Sequence, residues 1–341
     1  MSKVKAIETT YGSDKNGLVW AYVFDAGEAP KELDSESAAR WLAQPATAGS
    51  EAFLWLHFSL SNASSERWMR QSLPLPETFY EAMKETVGST RLEQAGDALI
   101  AVIHDLLFDS AFDSSSVSTA ALCVTPRLVV SARLRPLRSV DRLRSEVRTG
   151  QTLRSAADLL AHLMRDQAQV LIDIVRQSTA RVDVIEDTLL ASRIVVSRGE
   201  LSLLRRSLVR LQRLLAPEPA ALFRLLSRPV AWISEPDLLN LRQAAEEFSA
   251  SVADAAALTE RVKLLQEELA ARVDEQTSRT IFVLTLVTVL ALPVNLVAGL
   301  FGMNVGGVPF AQHPHGFLLV IALLSAVTGV LAYLALGRRR D

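Results

Sequence analysis

The chain of 341 residues holds a single cysteine, Cys123. One thiol cannot close an intrachain disulfide or build a cysteine-based zinc finger, and it suits a reducing compartment. No stretch matches a phosphate-binding loop, a Gly-x-Ser-x-Gly elbow or a His-Glu-x-x-His helix, so the chain is read as a non-enzyme with no tightly bound cofactor. Charge of one sign is also lacking: 36 basic and 38 acidic residues leave a formal net charge of −2. A nucleic-acid binder normally carries a strongly basic face, so no nucleic-acid partner is expected. The N-terminus is polar, and no apolar segment follows it that would read as a cleavable signal.

Two stretches, 280–301 and 316–336, contain no charged side chain. Each reaches the roughly 20 apolar residues that a helix needs to cross a bilayer core. The 302–315 loop between them is too short to be a domain and holds no Lys or Arg, whereas Arg272 and Arg279 precede the first run and Arg338, Arg339 and Arg340 follow the second. The positive-inside rule then places both termini in the cytoplasm and the loop outside, which makes this a two-span, multi-pass protein of the cell's inner (plasma) membrane with lipid as a partner.

The region before the spans reads as mixed α/β. Strands are predicted at Leu18–Phe24, 52–58, 98–107, 118–123 and 128–131, with Thr125, Pro126 and Arg127 turning between the last two. Helices are predicted at 37–42 and 76–86, Pro76 suiting a first turn. From about Val140 apolar residues recur at helical spacing, through 153–190 and 200–215. Arginine is dense there. It fits anionic-lipid or nucleic-acid contact, or a solvated helical face with intrahelical ion pairs; the absence of like-charge blocks favours the second. His57 and His104 lie within strand patterns and read as core histidines. The five tryptophans lie outside the spans and read as core or interface packing. The expected organisation is an α/β cytoplasmic domain at 1–135, a helical cytoplasmic region at 136–235, a stalk helix continuing into the first span at 236–301, an outer loop at 302–315, a second span at 316–337 and a cytoplasmic tail at 338–341.

Between Pro236 and Pro293 there is neither proline nor glycine. A single helix over that stretch would be roughly 85 Å long at 1.5 Å per residue. So long a helix must pack against neighbours or copies of itself. Phe248, Val252, Ala255, Leu258, Val262, Leu265, Leu269 and Val273 form an apolar heptad seam. A second stripe runs back from Asn295 through Leu292, Thr288, Thr285, Ile281, Ser278, Asp274, Ala271 and Glu267. Polar groups in lipid face other helices or a watery path, so Thr285, Thr288 and Asn295 fit either helix–helix contact or the lining of a conduit. Two spans cannot enclose a pore, so a conduit requires a closed ring of subunits.

The first span ends in Gly302-Met303-Asn304, followed by Val305-Gly306-Gly307. Placed at the outer end of the first of two C-terminal spans, after a long helix and an α/β region, this triplet resembles the signature of the CorA metal ion transporter family. The Leu292–Gly307 stretch, Trp55-Leu56-His57, and Arg91-Leu92-Glu93 with Gly96-Asp97 are similar to the zinc-transport branch of that family. The resemblance spans nearly the whole chain, closely at the motif and weakly elsewhere.

The resemblance implies an α+β fold with a cytoplasmic α/β domain, a long stalk and two C-terminal transmembrane helices, assembled as a funnel-shaped homopentamer with a coiled stalk. The Gly302, Met303 and Asn304 motif would stand at the pore mouth, where five Asn304 side-chain carbonyls meet the water shell of a dication. Asn295, Leu292, Thr288, Thr285 and Ile281 would line the path, and Ser278, Asp274 and Glu267 its cytoplasmic end. Leu292 and Ile281 would be apolar constrictions. The loop departs from the acidic Pro-Glu-Leu stretch frequent in the magnesium members: here Pro309 leads to Phe310, Ala311, Gln312, His313, Pro314 and His315. The two histidines suit zinc better than magnesium, or belong to an ordinary interfacial loop. No ionisable side chain lies within either span, so the expectation is passage of a largely hydrated divalent ion, zinc first, with cadmium, nickel and cobalt as further substrates. The alternatives are a magnesium or cobalt channel of the same fold, and a non-transporting, membrane-anchored oligomeric sensor.

Overall fold

Short runs of Val, Ile, Leu and aromatic residues carry apolar side chains at odd and even positions alike, which is the pattern of strands buried on both faces. In the computed structural model they form one seven-stranded sheet of order β2-β1-β3-β7-β6-β5-β4. The structure describes residues 12–25, 28–45, 51–84, 91–106, 117–190, 197–303 and 314–337. The strands are β1 (Leu18–Phe24), β2 (Lys31–Glu32), β3 (Phe53–Ser59), β4 (Arg91–Ala95), β5 (Ala98–Leu106), β6 (Val117–Val124) and β7 (Leu128–Arg133). Among the described residues only β3 and β7 pair in parallel; the other neighbours are antiparallel. The predicted 125–127 turn joins β6 to β7, with Thr125 N–H donating to Leu128 O at 2.8 Å and Leu128 N–H to Thr125 Oγ1 at 3.1 Å.

The chain forms two compact units, Met1–Gln266 and Glu267–Asp341. In the first, the helices are α1 (Ser35–Ala43), α2 (Ser64–Ser72), α3 (Glu77–Met83), α4 (Arg138–Arg148), α5 (Ala156–Leu190), α6 (Ser197–Leu215), α7 (Pro217–Leu226) and the opening part of α8 (Glu235–Phe301). One sheet face presents Leu54, Leu56, Phe58, Ile100 and Val130 to Met69 of α2 and Phe79 and Tyr80 of α3. The other presents Trp20, Phe53, Trp55, Leu99 and Ile103 to Leu143 of α4 and to Leu160 and Met164 of α5, in a core that continues to Leu241 and Phe248 of α8. One glycine is dictated by space as well as by backbone. Gly17 has φ +83°, and a Cβ there would overlap Ser65 of α2.

Both strand histidines are core residues. His57 is fully buried and stacked on Trp20, ring centroids 4.0 Å apart. Arg133 Nε donates to His57 Nε2 at 3.0 Å, so the proton sits on Nδ1, 2.7 Å from Ser131 Oγ. Burial, reinforced by Arg133, lowers its pKa well below the ordinary value and keeps the ring neutral. His104 belongs to a node where β5, α5 and α7 meet. The Glu218 carboxylate, at the N-terminal end of α7, accepts from His104 N–H at 2.6 Å, lies 2.9 Å from His104 Nδ1 and accepts from Gln167 Nε2 at 3.2 Å. Gln167 also donates to His104 O at 2.8 Å. Beside it, Asp105 accepts from Ser139 N–H and Oγ of α4, and burial pushes its pKa up to about 7.

The predicted apolar seam of α8 is buried at Phe248, Ala255, Leu258, Val262, Leu265 and Leu269. Val252 and Val273 are half-buried. Around the seam Arg261 reaches α5, pairing with Asp183 at 2.7 Å and with Glu186. Gln266 is tied to α6, accepting from Arg205 and donating to Ser202.

A pH-dependent contribution arises at the start of α5. His162 Nδ1 lies 2.9 Å from Asp158 O and 3.4 Å from the Asp158 carboxylate. The bond to Asp158 raises the His162 pKa above its usual value. Burial alone would raise Asp158, but the bonds from His162 and Arg154 outweigh it and hold the carboxyl at about 2. A raised folded-state pKa stabilises below the unfolded value, about 6.5 for histidine, and that contribution is lost as pH rises through the folded value. His162→Gln is therefore expected to lower the thermal midpoint of the purified chain at pH 5.5 and to leave it nearly unchanged at pH 8.5. An equal loss at both pH values contradicts the assignment.

Candidate ion path in the membrane unit

The second unit holds the remainder of α8 and α9 (Gly316–Gly337). Both helices are long and apolar enough to cross a membrane, and they occupy the two charge-free runs of the sequence. Almost nothing of either run is buried inside the chain. Large apolar side chains such as Leu284, Leu296, Phe317, Leu323 and Tyr333 stand open, as expected of surface that meets lipid or other subunits rather than water. In α8, Phe282, Leu286, Leu290, Pro293 and Val297 are half-buried. In α9 Val320, Leu324, Thr328, Leu331 and Ala332 are half-buried. These are the sides on which the two helices face each other.

The sequence-predicted stripe lies elsewhere. Ile281, Thr285, Thr288, Leu292 and Asn295 are all exposed. At about 100° per residue their mean direction is about 140° around α8 from the half-buried side. The polar groups therefore do not bind α8 to α9. Thr285 Oγ1 donates to Ile281 O at 2.8 Å and Thr288 Oγ1 to Leu284 O at 2.9 Å. With each hydroxyl proton held by its own helix, the remaining lone pairs face outward as acceptors, the polarity that suits water bound to a cation. Ser278, Asp274 and Glu267 continue the stripe and are exposed.

At the motif end, Gly302 N–H donates to Ala298 O at 2.9 Å, and Met303 N–H lies 3.4 Å from Leu300 O with the side chain exposed. A Cβ on Gly302 would come within 3.1 Å of Ala298 O, so the glycine allows a tight last turn. His315 is exposed, and its carbonyl accepts from Leu319 N–H at the start of α9. Asn304, Gly306, Gly307 and His313 lie outside the described residues. Among the described residues no three His, Cys, Asp or Glu side chains gather as a metal site.

The stripe continues beyond Glu267, the last residue expected of it. In the first unit the same alternating steps of three and four pass through Gln243, Glu246, Ala250, Ala253, Ala257, Glu260 and Leu264, and every one of these is exposed. The signal was present in the heptad spacing and needed only further stepping. From Gln243 to Asn295 this face carries Glu246, Glu260, Glu267 and Asp274 and no basic residue.

An α/β unit, a 67-residue helix that ends in one apolar run and a second apolar helix make up an architecture that belongs to a class of membrane transport protein. The family model described as "CorA-like Mg2+ transporter protein" matches residues 50–339, and the chain belongs to the CorA family, whose members are ion transporters and not enzymes. It is thus a divalent cation transporter of that family. It is similar to the divalent cation transporter CmaX of Pseudomonas aeruginosa, 27% identical over 92% of this chain and 94% of the relative. It is also similar to the zinc transport protein ZntB of Pectobacterium atrosepticum, 23% identical over 89% of this chain and 92% of the relative. Among solved structures, that of full-length CmaX aligns with a TM-score of 0.79 at 24% identity, covering 97% of this chain and all of the other, and shows the shared fold.

Proposed function

We propose that the chain assembles as a homopentamer in the inner membrane, both termini cytoplasmic, and passes largely hydrated zinc along the α8 stripe. The observation that carries this reading is the direction of the stripe. It faces away from α9, so only other subunits or an ion path can satisfy it. Its acid-only composition supports cation passage, since rings of carboxylates attract cations and disfavour anions. Asn304 would stand at the mouth, with His313 and His315 near it. Asn295, Thr288 and Thr285 would offer acceptors to the hydration shell. Leu292 and Ile281 would form the dry constrictions. Without an ionisable ligand in either span, a stripped zinc ion would find no thiolate, imidazole or carboxylate there.

The choice of zinc rests on the loop histidines and on the ZntB relatives. The description of the matching family model favours a second reading, magnesium or cobalt through the same path. Uptake into liposomes holding the purified chain separates them. Zinc flux at least equal to magnesium and cobalt flux is expected; magnesium flux far above zinc overturns the assignment. The sensor reading loses its ground with membership in a transporter family.

A further inference from the structure

Pro293 stands inside α8. Proline has no N–H, so the carbonyl four residues earlier, at Val289, loses its helical donor. In an apolar medium such a group needs another partner. The Val289 carbonyl points along the helix axis at Pro293, one of the half-buried positions, so the orphaned oxygen lies on the side of α9.

α9 presents a matching group. Thr277, Thr280, Thr285 and Thr288 of α8 all donate to the carbonyl four residues before them. Thr328 does not: its Oγ1 is buried and has no hydrogen-bond partner among the described residues. The two groups lie at one level. A crevice of about 430 Å³ separates the outer ends of the helices, walled by Val294 and Phe301 on α8 and by Phe317 and Leu324 on α9. Phe301 and Phe317 lie at the loop ends of their helices, and Val294 and Leu324 are the lining residues furthest from the loop. Counted from those ends at 1.5 Å per residue, Val289 and Thr328 both lie roughly 17 Å along their helices, beyond the residues that line the crevice.

We propose that Thr328 is a positioning residue for transport: its hydroxyl, without a direct partner among the described residues, is joined to the Val289 carbonyl through one bridging water and fixes the rotational setting of the ion-path helix at its proline. The bridge satisfies two groups that would otherwise be orphaned in lipid, and it does so on the side of α8 away from the stripe. Rotation of α8 about its axis would break it. The hydroxyl thus helps to keep Asn295, two residues beyond Pro293, turned away from α9.

The test is a double-mutant cycle on the full chain, read as thermal midpoint in mild detergent and as divalent uptake in liposomes. Thr328→Val keeps the shape and removes the donor; it is expected to lower the midpoint and to cut uptake several-fold. Thr328→Ser keeps the hydroxyl and is expected to restore both. Pro293→Ala returns an N–H to the Val289 carbonyl, so Thr328→Val in that background should cost little more. Equal losses from Thr328→Val with and without Pro293, no loss at all, or failure of serine to rescue overturns the proposal. If the Pro293→Ala chain does not assemble, the infrared amide band of an isotope-labelled Val289 carbonyl decides. A move to the unbonded frequency in Thr328→Val supports the bond, and an unmoved band refutes it.

Discussion

Asn304→Ala is expected to lower divalent cation uptake by at least about tenfold while leaving the assembled oligomer intact. A hydrogen bond to a charged partner is worth about 1.5–3 kcal/mol. A loss of about 1.4 kcal/mol at the step that captures the ion already slows passage tenfold. In a ring of subunits every chain loses the same group, so the effect is multiplied rather than diluted. Asn304 lies outside the described residues. The expectation therefore rests on the Gly-Met-Asn motif and on the helix that delivers it, whose last turn Gly302 closes through Ala298 O. Native mass of the detergent-solubilised protein checks assembly alongside the flux. An intact oligomer that transports at the wild-type rate would remove Asn304 from the path.

The second large effect belongs to the first unit. Glu218→Ala is expected to destabilise it by about 2–4 kcal/mol, since each buried donor left without its acceptor costs roughly 1–3 kcal/mol. His104 N–H loses its Glu218 acceptor and Gln167 Nε2 is left with His104 O, where water does not reach them. The Glu218 pKa is raised, chiefly by burial and against the pull of its bonds to His104, which marks a carboxyl held by its partners rather than by solvent. Glu218→Gln keeps one acceptor and the volume, and should lose less than alanine. Denaturant unfolding of the detergent-solubilised chain, followed by tryptophan fluorescence from Trp20 and Trp55, reads the difference. An alanine variant as stable as wild type would mean that the node carries no net stability.

The elements that sequence reading located are those whose neighbours matter least. β1 falls on its predicted bounds, and β3, β5, β6 and β7 come within one or two residues, because their apolar runs are long enough to stand alone. β2 is two charged, exposed residues, and only its register, Tyr22 with Glu32 and Val23 with Lys31, makes it a strand. β4 is a half-exposed edge whose identity comes from pairing with β5. α2 buries only Ser65 and Met69, too little for periodicity to register. α4 carries Val140, Leu143 and Val147 at helical spacing among arginines, a signal that was present but thin. The helix predicted at 76–86 is seen as Glu77–Met83, with Pro76 at its cap.

The exposed stripe of α8 was legible for a different reason. A helix that must present one face over many turns writes that face into its heptads, so the stripe could be stepped off before any fold was known. Its direction could not. Which side of α8 meets α9 depends on the packing of two nearly uniform apolar helices, and their sequences carry little preference. The proposed link between Thr328 and the Val289 carbonyl is invisible for the same reason.

Arg261 and Gln266 lead to a mechanical consequence. The Arg261 contacts with Asp183 and Glu186 involve side chains that are two-fifths to one-half exposed, so they add little to folding stability. Their value is directional. Arg261 holds α8 to α5 on one side, and five residues on Gln266 holds it to α6 on another. A shaft gripped at two points on different bearings resists twisting even when each grip is weak. Twisting of α8 between Arg261 and Gln266 would therefore be passed to α5 and α6 together.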